Sequence, residues 1–439
     1  MKITVVGCGY LGATHAACMA ELGHEVLGMD TDIDKVHALQ AGRAPFFEQG
    51  LDDLLARHTA SGRLRFTASY SEAAAFADVH FLGVGTPQLP GENAYDLTAL
   101  FTAVRRLTAA LTRPALIVGK STVPVGTSTR LAALIQETAP AGIPVALAWN
   151  PEFLRESHAI EDTLRPDRLV LGFQDGDTTS PAVLAEVYQQ VLATGKPLIS
   201  TDMATAELAK SAANAFLATK ISFINAMAEV CEASGADVHQ LAQALRLDPR
   251  IGHSGMRPGL GFGGGCLPKD IRGFMARAGE LGADQALTFL REVDAINLRR
   301  RTRMVDLARE ECDGTLRGKH ITVWGAAFKP GTDDIRDSPA LDVAEHLHRL
   351  GADVTVHDFQ ALDNALKAHP QLTYATDPAQ ACEGADLLLH LTEWPQYTDI
   401  DPATLTPLAA SPRVLDGRDG LDPAQWREAG WTYRALGRP

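Results

Sequence analysis

Short apolar runs alternate with amphipathic stretches over the first 200 residues. The run at 3–6 ends in glycine, residues 10–22 keep a helical spacing closed by Gly23, and 25–30 is apolar again. Strand, glycine turn, helix and strand make one βαβ unit. Apolar runs at 79–85, 115–119, 145–149 and 169–173 predict further strands, with amphipathic stretches between most of them. Such alternation predicts a mostly parallel sheet with helices on both faces. The texture changes near Thr201. Residues 202–233 are rich in helix formers and hold no proline or glycine, and Thr201 and Asp202 are suited to cap the start. A glycine-rich loop at 259–265 follows, then a helical stretch from about 270 to 312. Strand patterns return at 321–325, 353–358, 387–391 and 413–416, with a helix at 339–350. The pattern therefore predicts an α/β chain of two α/β halves joined by helices, divided at 1–199, 200–300 and 301–439.

Composition narrows this picture. A chain of 439 residues is too long for one ordinary core. Its net charge of −14 opposes a nucleic-acid partner, which would need a local basic patch. The basic run Arg299, Arg300, Arg301 and Arg303 lies in the connecting helical stretch and reads as a solvated or interdomain face. Cysteines at 8, 18, 231, 266, 312 and 382 form no CxxC pair and no metal-ligand spacing, which suggests reduced thiols in a cytoplasm. The opening apolar run is broken at once by Gly7 and Gly9, so it reads as a strand and not a signal peptide. No run of about 20 apolar residues suggests a membrane span.

Gly7-Cys8-Gly9-Tyr10-Leu11-Gly12 is a G-x-G-x-x-G that follows a strand and opens a helix. Gly7 permits the tight turn, Gly9 lets the backbone approach a pyrophosphate, and Gly12 lets helix and strand pack closely. Asp30 ends the next strand, where a carboxylate accepts from a ribose 2′-hydroxyl and repels a 2′-phosphate, which favours NAD over NADP. Lys35 is a supporting candidate, though a lone lysine is more often simply solvated. Thr86 and Thr122 follow later strands and face the same choice between a cofactor contact and a turn.

The stretch Gly261 to Asp270 is the most informative. Three consecutive glycines precede Cys266, and a helix start lies just beyond. A thiol at a helix N-terminus has a lowered pKa, and Lys269 is placed to lower it further, the usual activation of a nucleophilic cysteine. Lys210 and Asn214 are four apart on an apolar helical background, so they share a face and need partners: an oxyanion, or for Lys210 a surface pair with Glu207. Asn150-Pro151-Glu152-Phe153-Leu154-Arg155-Glu156 ends a strand and brings two carboxylates, as general acids or bases or as loop caps. Asp333, Asp334 and Asp337 stand beside Lys329 and Arg336 without a spaced His or Cys, so no metal is predicted.

These residues sit in segments that resemble the UDP-glucose/GDP-mannose dehydrogenase family, most closely its members acting on UDP-glucose. The segments are GCGYLG, STVPVGT at 121–127, NPEFLRE at 150–156, PDRLVLG at 166–172, AELAKSAANAFLATKISFIN at 206–225, GFGGGCLPKD at 261–270 and AFKPGTDDIRDSPA at 327–340. They run in family order over nearly the whole chain. The resemblance implies two Rossmann-like doubly wound domains joined by a helical segment that dimerises. It implies NAD as cofactor and a four-electron oxidation of a sugar nucleotide at C6, through a thiohemiacetal and a thioester on Cys266. By the same matching, Lys210, Asn214 and Asp270 surround the thiol. Glu152 and Glu156 serve proton transfer or the final water, and Thr122 positions that water. Phe153, Leu154, Phe262, Gly263 and Lys329 contact the substrate, Arg336 the cofactor, and Arg250 the substrate of a neighbouring subunit. Two positions depart from the family's habit: Gly265 stands where serine usually precedes the cysteine, and Ala226 where glutamate commonly follows the asparagine.

Other sugar nucleotides, GDP-mannose or a dTDP-sugar among them, remain alternatives at this stage. So does a catalytically silent NAD-binding sensor, which would have no need of Cys266, Lys210, Asn214 and Asp270 together. The acidic charge opposes a nucleic-acid binder or scaffold.

Overall fold

The computed structural model describes residues 1–438. Internal contacts group Met1–Ala213 with Arg272–Gly282, and Asn214–Ile271 with the residues from 283 onward.

The first unit carries β1 (Lys2–Val6), β2 (Glu25–Met29), β3 (Leu64–Thr67), β4 (Val79–Leu82), β5 (Ala115–Gly119), β6 (Val145–Trp149), β7 (Leu169–Phe173) and β8 (Leu198–Asp202). They lie in the order β3-β2-β1-β4-β5-β6-β7-β8. Central strands such as β4 and β5 are buried throughout, which is why they read as unbroken apolar runs. The pairings are parallel except between β6 and β7, which meet antiparallel at Trp149 and Gly172. The helix Tyr10–Glu21 buries its alanines, Ala13, Ala16, Ala17 and Ala20, and small side chains let it approach the sheet closely. Asp202 accepts from the backbone of Thr205 at 2.8 Å, so the expected cap of the long helix Met203–Ser234 is present.

The second unit carries β9 (His320–Trp324), β10 (Asp353–His357), β11 (Thr373–Tyr374), β12 (Leu387–His390), β13 (Arg413–Asp416) and β14 (Thr432–Ala435), all parallel, in the order β11-β10-β9-β12-β13-β14. Both sheets thus have the doubly wound plan, and their core strand order is that of dinucleotide-binding folds. Trp324 stacks on Tyr397 with centroids 4.6 Å apart and anchors the second core. Ser338 accepts from the backbone of Leu341, and Pro339 opens the helix Pro339–Arg349.

Two expectations need correction. The stretch 270–312 is not one helix: Leu267–Glu280 ends before Gly282, whose φ of 74° is left-handed, and Phe289–Glu311 begins afresh after a 3-10 turn. Of the two readings of the arginine run, the solvated one does not hold for Arg300 and Arg301. Arg300 is fully buried, 3.5 Å from Glu232, and Arg301 is buried and donates to Asp337 at 2.8 Å; Arg303 pairs with Glu232 at 2.9 Å. Among the described residues no helix is long and apolar enough to cross a membrane.

Candidate active site

In the first unit, β1 runs into Gly7 at φ 87°, where a Cβ would press on the backbone of Val84 at 2.8 Å. A Cβ on Gly12 would collide with the carbonyl oxygen of Gly7. Gly9 is different: a Cβ there meets nothing within 4 Å. Its smallness is not needed for packing, so open ground lies before the helix that starts at Tyr10. That helix has no side-chain N-cap and no acidic residue in its first turn. Its free N–H groups and positive dipole end suit a pyrophosphate.

Asp30 is buried at the end of β2. One oxygen accepts from the backbone of Cys8 at 2.8 Å and faces the Lys35 ammonium at 3.3 Å; the other accepts from Asp32 at 3.0 Å. The carboxylate is thus fixed beside the glycine turn with room for a further donor, and Lys35 is its ion-pair partner. Tyr10 donates to Glu48, which also accepts from the backbones of Ser157 at 2.7 Å and Ala159 at 2.8 Å. Burial, and then Glu48, push the Tyr10 phenol far up. The glycine loop is thereby tied to the turn after Glu156, where Ser157 holds φ 67°. Thr86 donates to the carbonyl of Thr122 at 2.6 Å, so these two threonines come together.

Glu152 and Lys210 meet at 2.8 Å with side chains 9% and 5% exposed. Lys210 is therefore a buried lysine and not a surface one. Glu207 turns instead to the backbones of Gly126 at 2.7 Å and Ser128 at 2.5 Å. Removing one member of such a buried pair strands the other charge, at a cost of about 3–5 kcal/mol. The second oxygen of Glu152 accepts from Leu154 at 2.9 Å. Glu156 is buried as well, and Phe153 lies under the guanidinium of Arg168 at 4.1 Å.

In the second unit, Cys266 is exposed at the head of the helix Leu267–Glu280. Asp270, on the first turn, is buried and accepts from Asn214 at 2.6 Å and from Lys269 at 2.7 Å. Asp270 thus fixes the Asn214 amide and engages the Lys269 ammonium. The glycine loop is shaped by its neighbours: a Cβ on Gly264 would reach the Phe328 ring at 2.8 Å, and one on Gly265 would collide with the Arg336 guanidinium. That guanidinium is the far end of a flexible, exposed side chain, so a Cβ at 265 would displace Arg336 and is not excluded by packing. Arg336 is itself held by Asp334 at 2.6 Å. Gly263 and Phe262 are buried in this loop, and Asn297 clamps Phe262 through its N–H at 2.8 Å and its carbonyl at 2.9 Å. The Lys329 ammonium lies 5.6 Å from the Phe328 ring centre. Arg250, with its side chain 87% exposed, pairs with Asp248.

Sequence reasoning missed four residues. Arg418, buried, donates to the carbonyls of Leu391 at 2.7 Å and Gly261 at 2.8 Å; its signal was an Asp-Gly-Arg that begins on the last residue of β13. Asn297 and Glu48 gave no local signal. Lys120 stands one residue before the STVPVGT segment, outside any motif. Among the described residues, no group of three His, Cys, Asp or Glu side chains is arranged to hold a metal.

An uncapped helix behind open ground at Gly9, with a fixed carboxylate at the next strand end, defines a dinucleotide-binding α/β protein. Residues 1–192 match the NAD binding domain of the UDP-glucose/GDP-mannose dehydrogenase family, 204–299 its central domain and 322–423 its UDP binding domain, and the chain belongs to that family. It is 41% identical over 439 residues to the UDP-glucose 6-dehydrogenase of Rhizobium meliloti strain 1021, covering all of both chains. It is 37% identical to the enzyme of that name from Pseudomonas aeruginosa, covering all of this chain and 98% of the other. A solved UDP-glucose dehydrogenase from the hyperthermophilic archaeon Pyrobaculum islandicum superposes with a TM-score of 0.91 at 38% identity, over 100% of this chain and 98% of that one. NAD is the cofactor of the first domain, and a nucleotide sugar is the substrate class of the last.

Proposed function

We propose that this enzyme oxidises the C6 alcohol of UDP-glucose to UDP-glucuronate, using two NAD per sugar. Full-length similarity to relatives bearing that activity in their names carries the choice of sugar. The exposed thiol of Cys266 at a helix head carries the choice of mechanism. NAD, when bound, accepts hydride. A carboxylate, Glu152 or Glu156, takes the proton from the C6 hydroxyl. Cys266 adds to the aldehyde carbon, the resulting thiohemiacetal is oxidised to a thioester, and water releases the acid with Thr122 positioning that water. Lys210 and Asn214 stabilise oxygen as it becomes negative, and Asp270 orients Asn214. Gly7, Gly9, Tyr10, Leu11, Gly12, Asp30, Lys35, Thr86, Thr122, Glu156 and Arg336 serve the cofactor. Glu152, Phe153, Leu154, Lys210, Asn214, Arg250, Phe262, Gly263, Cys266 and Lys329 serve the sugar nucleotide. The chain divides functionally into 1–199, 200–300 and 301–439.

Counting NADH per UDP-glucose tests this reading. Two are expected, with little turnover of GDP-mannose or dTDP-glucose, and Cys266→Ala is expected to form no acid. One NADH per sugar would remove the thioester step, and turnover of another sugar nucleotide alone would change the substrate.

We further propose a homodimer. Phe216, Phe223 and Val230 recur one heptad apart on the long helix and are 66%, 48% and 56% exposed, a stripe that a second copy would cover. Sedimentation of Phe223→Glu is expected to show a smaller species than the parent; an unchanged mass would discard the stripe as the interface. The cytoplasm is the compartment that suits six cysteines that form no disulfide among the described residues.

A further inference from the structure

Lys120 lies directly after β5 in the first unit and is 8% exposed. Its ammonium donates to the side-chain oxygen of Asn150 at 2.9 Å, and the Tyr188 hydroxyl donates to the same oxygen at 2.6 Å. The Asn150 amide nitrogen donates to the carbonyl of Val170 in β7 at 2.9 Å, and its backbone N–H to Gly119 in β5 at 2.7 Å. One asparagine thus ties two strand ends to Lys120 and Tyr188. It sits where β6 stops, and Glu152 follows two residues on. The bond to Gly119 ends the ladder with β5, and on the other side β6 and β7 share a single antiparallel pair. Side-chain bonds hold the corner on that side.

Burying an ammonium is costly, and an apolar side chain of the same length would fill the space without that cost. Burial pulls the Lys120 ammonium down to about 8, and the nearby Glu152 charge opposes the fall. His15, on the helix Tyr10–Glu21, is buried close enough for Lys120 to disfavour its protonation further. A cation kept in such surroundings calls for a use.

We propose that Lys120 is a positioning residue which, through Asn150, sets the strand end that presents Glu152. The proposal rests on the reading that Glu152 takes part in turnover. Lys120 touches neither substrate nor cofactor in this role, so its loss acts only through Glu152.

The test is a double-mutant cycle of Lys120→Met and Glu152→Gln, with kcat on UDP-glucose, NAD affinity by fluorescence titration, and melting temperature measured for each. Lys120→Met is expected to lower kcat by roughly 10- to 100-fold, the scale of a misplaced catalytic group, with NAD affinity held within about threefold. The double variant is expected to be no slower than Glu152→Gln alone. Multiplied losses would overturn the proposal, since a residue acting only on general stability does not depend on Glu152. Tyr188→Phe keeps the charge and removes one donor to Asn150. It is expected to slow turnover several-fold with the same dependence on Glu152, and it decides the matter if Lys120→Met does not fold. Full turnover by Glu152→Gln would sink the role of Glu152 and this proposal with it. A slow Glu152→Gln beside Lys120→Met and Tyr188→Phe that turn over like the parent would sink this proposal alone.

Discussion

The two sheets begin alike and end in different uses. In each, the first strand enters a glycine of positive φ, Gly7 or Gly325, whose N–H donates to the end of the second strand, at 2.8 Å to Met29 and 2.7 Å to His357. In each, an aspartate follows that second strand and accepts from the turn. Asp30 accepts one turn N–H and keeps capacity beside Lys35. Asp358 gives one oxygen to Ala326 at 2.7 Å, Ala327 at 3.0 Å and the Trp394 indole at 3.1 Å, and the other to Gln360 and Ala361. Asp358 is saturated by its own chain, and Ala326 and Ala327 are fully buried where the first turn has open ground at Gly9. The same strand-turn-strand plan therefore leaves acceptor capacity on the carboxylate beside one turn and fills it with the chain's own donors beside the other. What decides is whether the carboxylate has lone pairs to spare.

The sharpest test of that contrast is Asp358→Ala. Four buried donors and the N–H of the exposed Gln360 lose their acceptor, and stability is expected to fall by about 3–5 kcal/mol, seen as a lower denaturation midpoint, with NAD affinity unchanged. A mild effect on stability would mean the brace is dispensable.

The second half also holds the opposite case. Asp419, in the left-handed region at φ 50°, has a fully buried side chain whose oxygens find no hydrogen bond among the described residues, with Arg438 4.0 Å away. Burial, and then Asp416, push it up to about 7. Its folded value is raised, so between about pH 4 and 7 the folded state holds a proton the unfolded state has released. This group's contribution therefore falls as pH rises through that window and is a full penalty above it. Asp419→Asn is expected to gain about 2 kcal/mol at pH 8, a melting rise of several degrees, with the gain fading by pH 4. An equal gain at both pH values would show that charge is not its cause.

For the first half, Asp30→Ala is expected to weaken NAD binding about 10- to 100-fold, the worth of hydrogen bonds to a charged group, with a smaller stability loss than Asp358→Ala. Gly9→Ala, at a position with room for a Cβ, is expected to melt within a degree or two of the parent and still bind NAD several-fold more weakly. Lower stability without weaker binding would make Gly9 a packing residue like Gly12.

Periodicity and glycine placement were legible because they act over a few residues. The first βαβ unit, the long helix and the glycine-rich loop all appeared at or near their positions. The break after Glu280 was missed because Gly282 sits in an otherwise helical pattern, where a single glycine is weak punctuation. Candidate site residues with a motif around them, such as Gly9, Asp30 and Cys266, were visible. Lys210 was ambiguous, since helix spacing alone allowed a surface pair with Glu207.

The sequence by itself determined the class: two α/β halves, a dinucleotide turn, a cysteine at a helix head and a family resemblance running the length of the chain. Only the tertiary structure decided partners. It buried Lys210 against Glu152, turned Lys269 to Asp270, saturated Asp358 and left Asp30 with capacity, and folded Lys120 and Arg418 into carbonyl and amide nets. The reason is range. Helix and turn signals are written within a few residues, whereas the partner of a buried charge stands tens or hundreds of residues away and is chosen by packing.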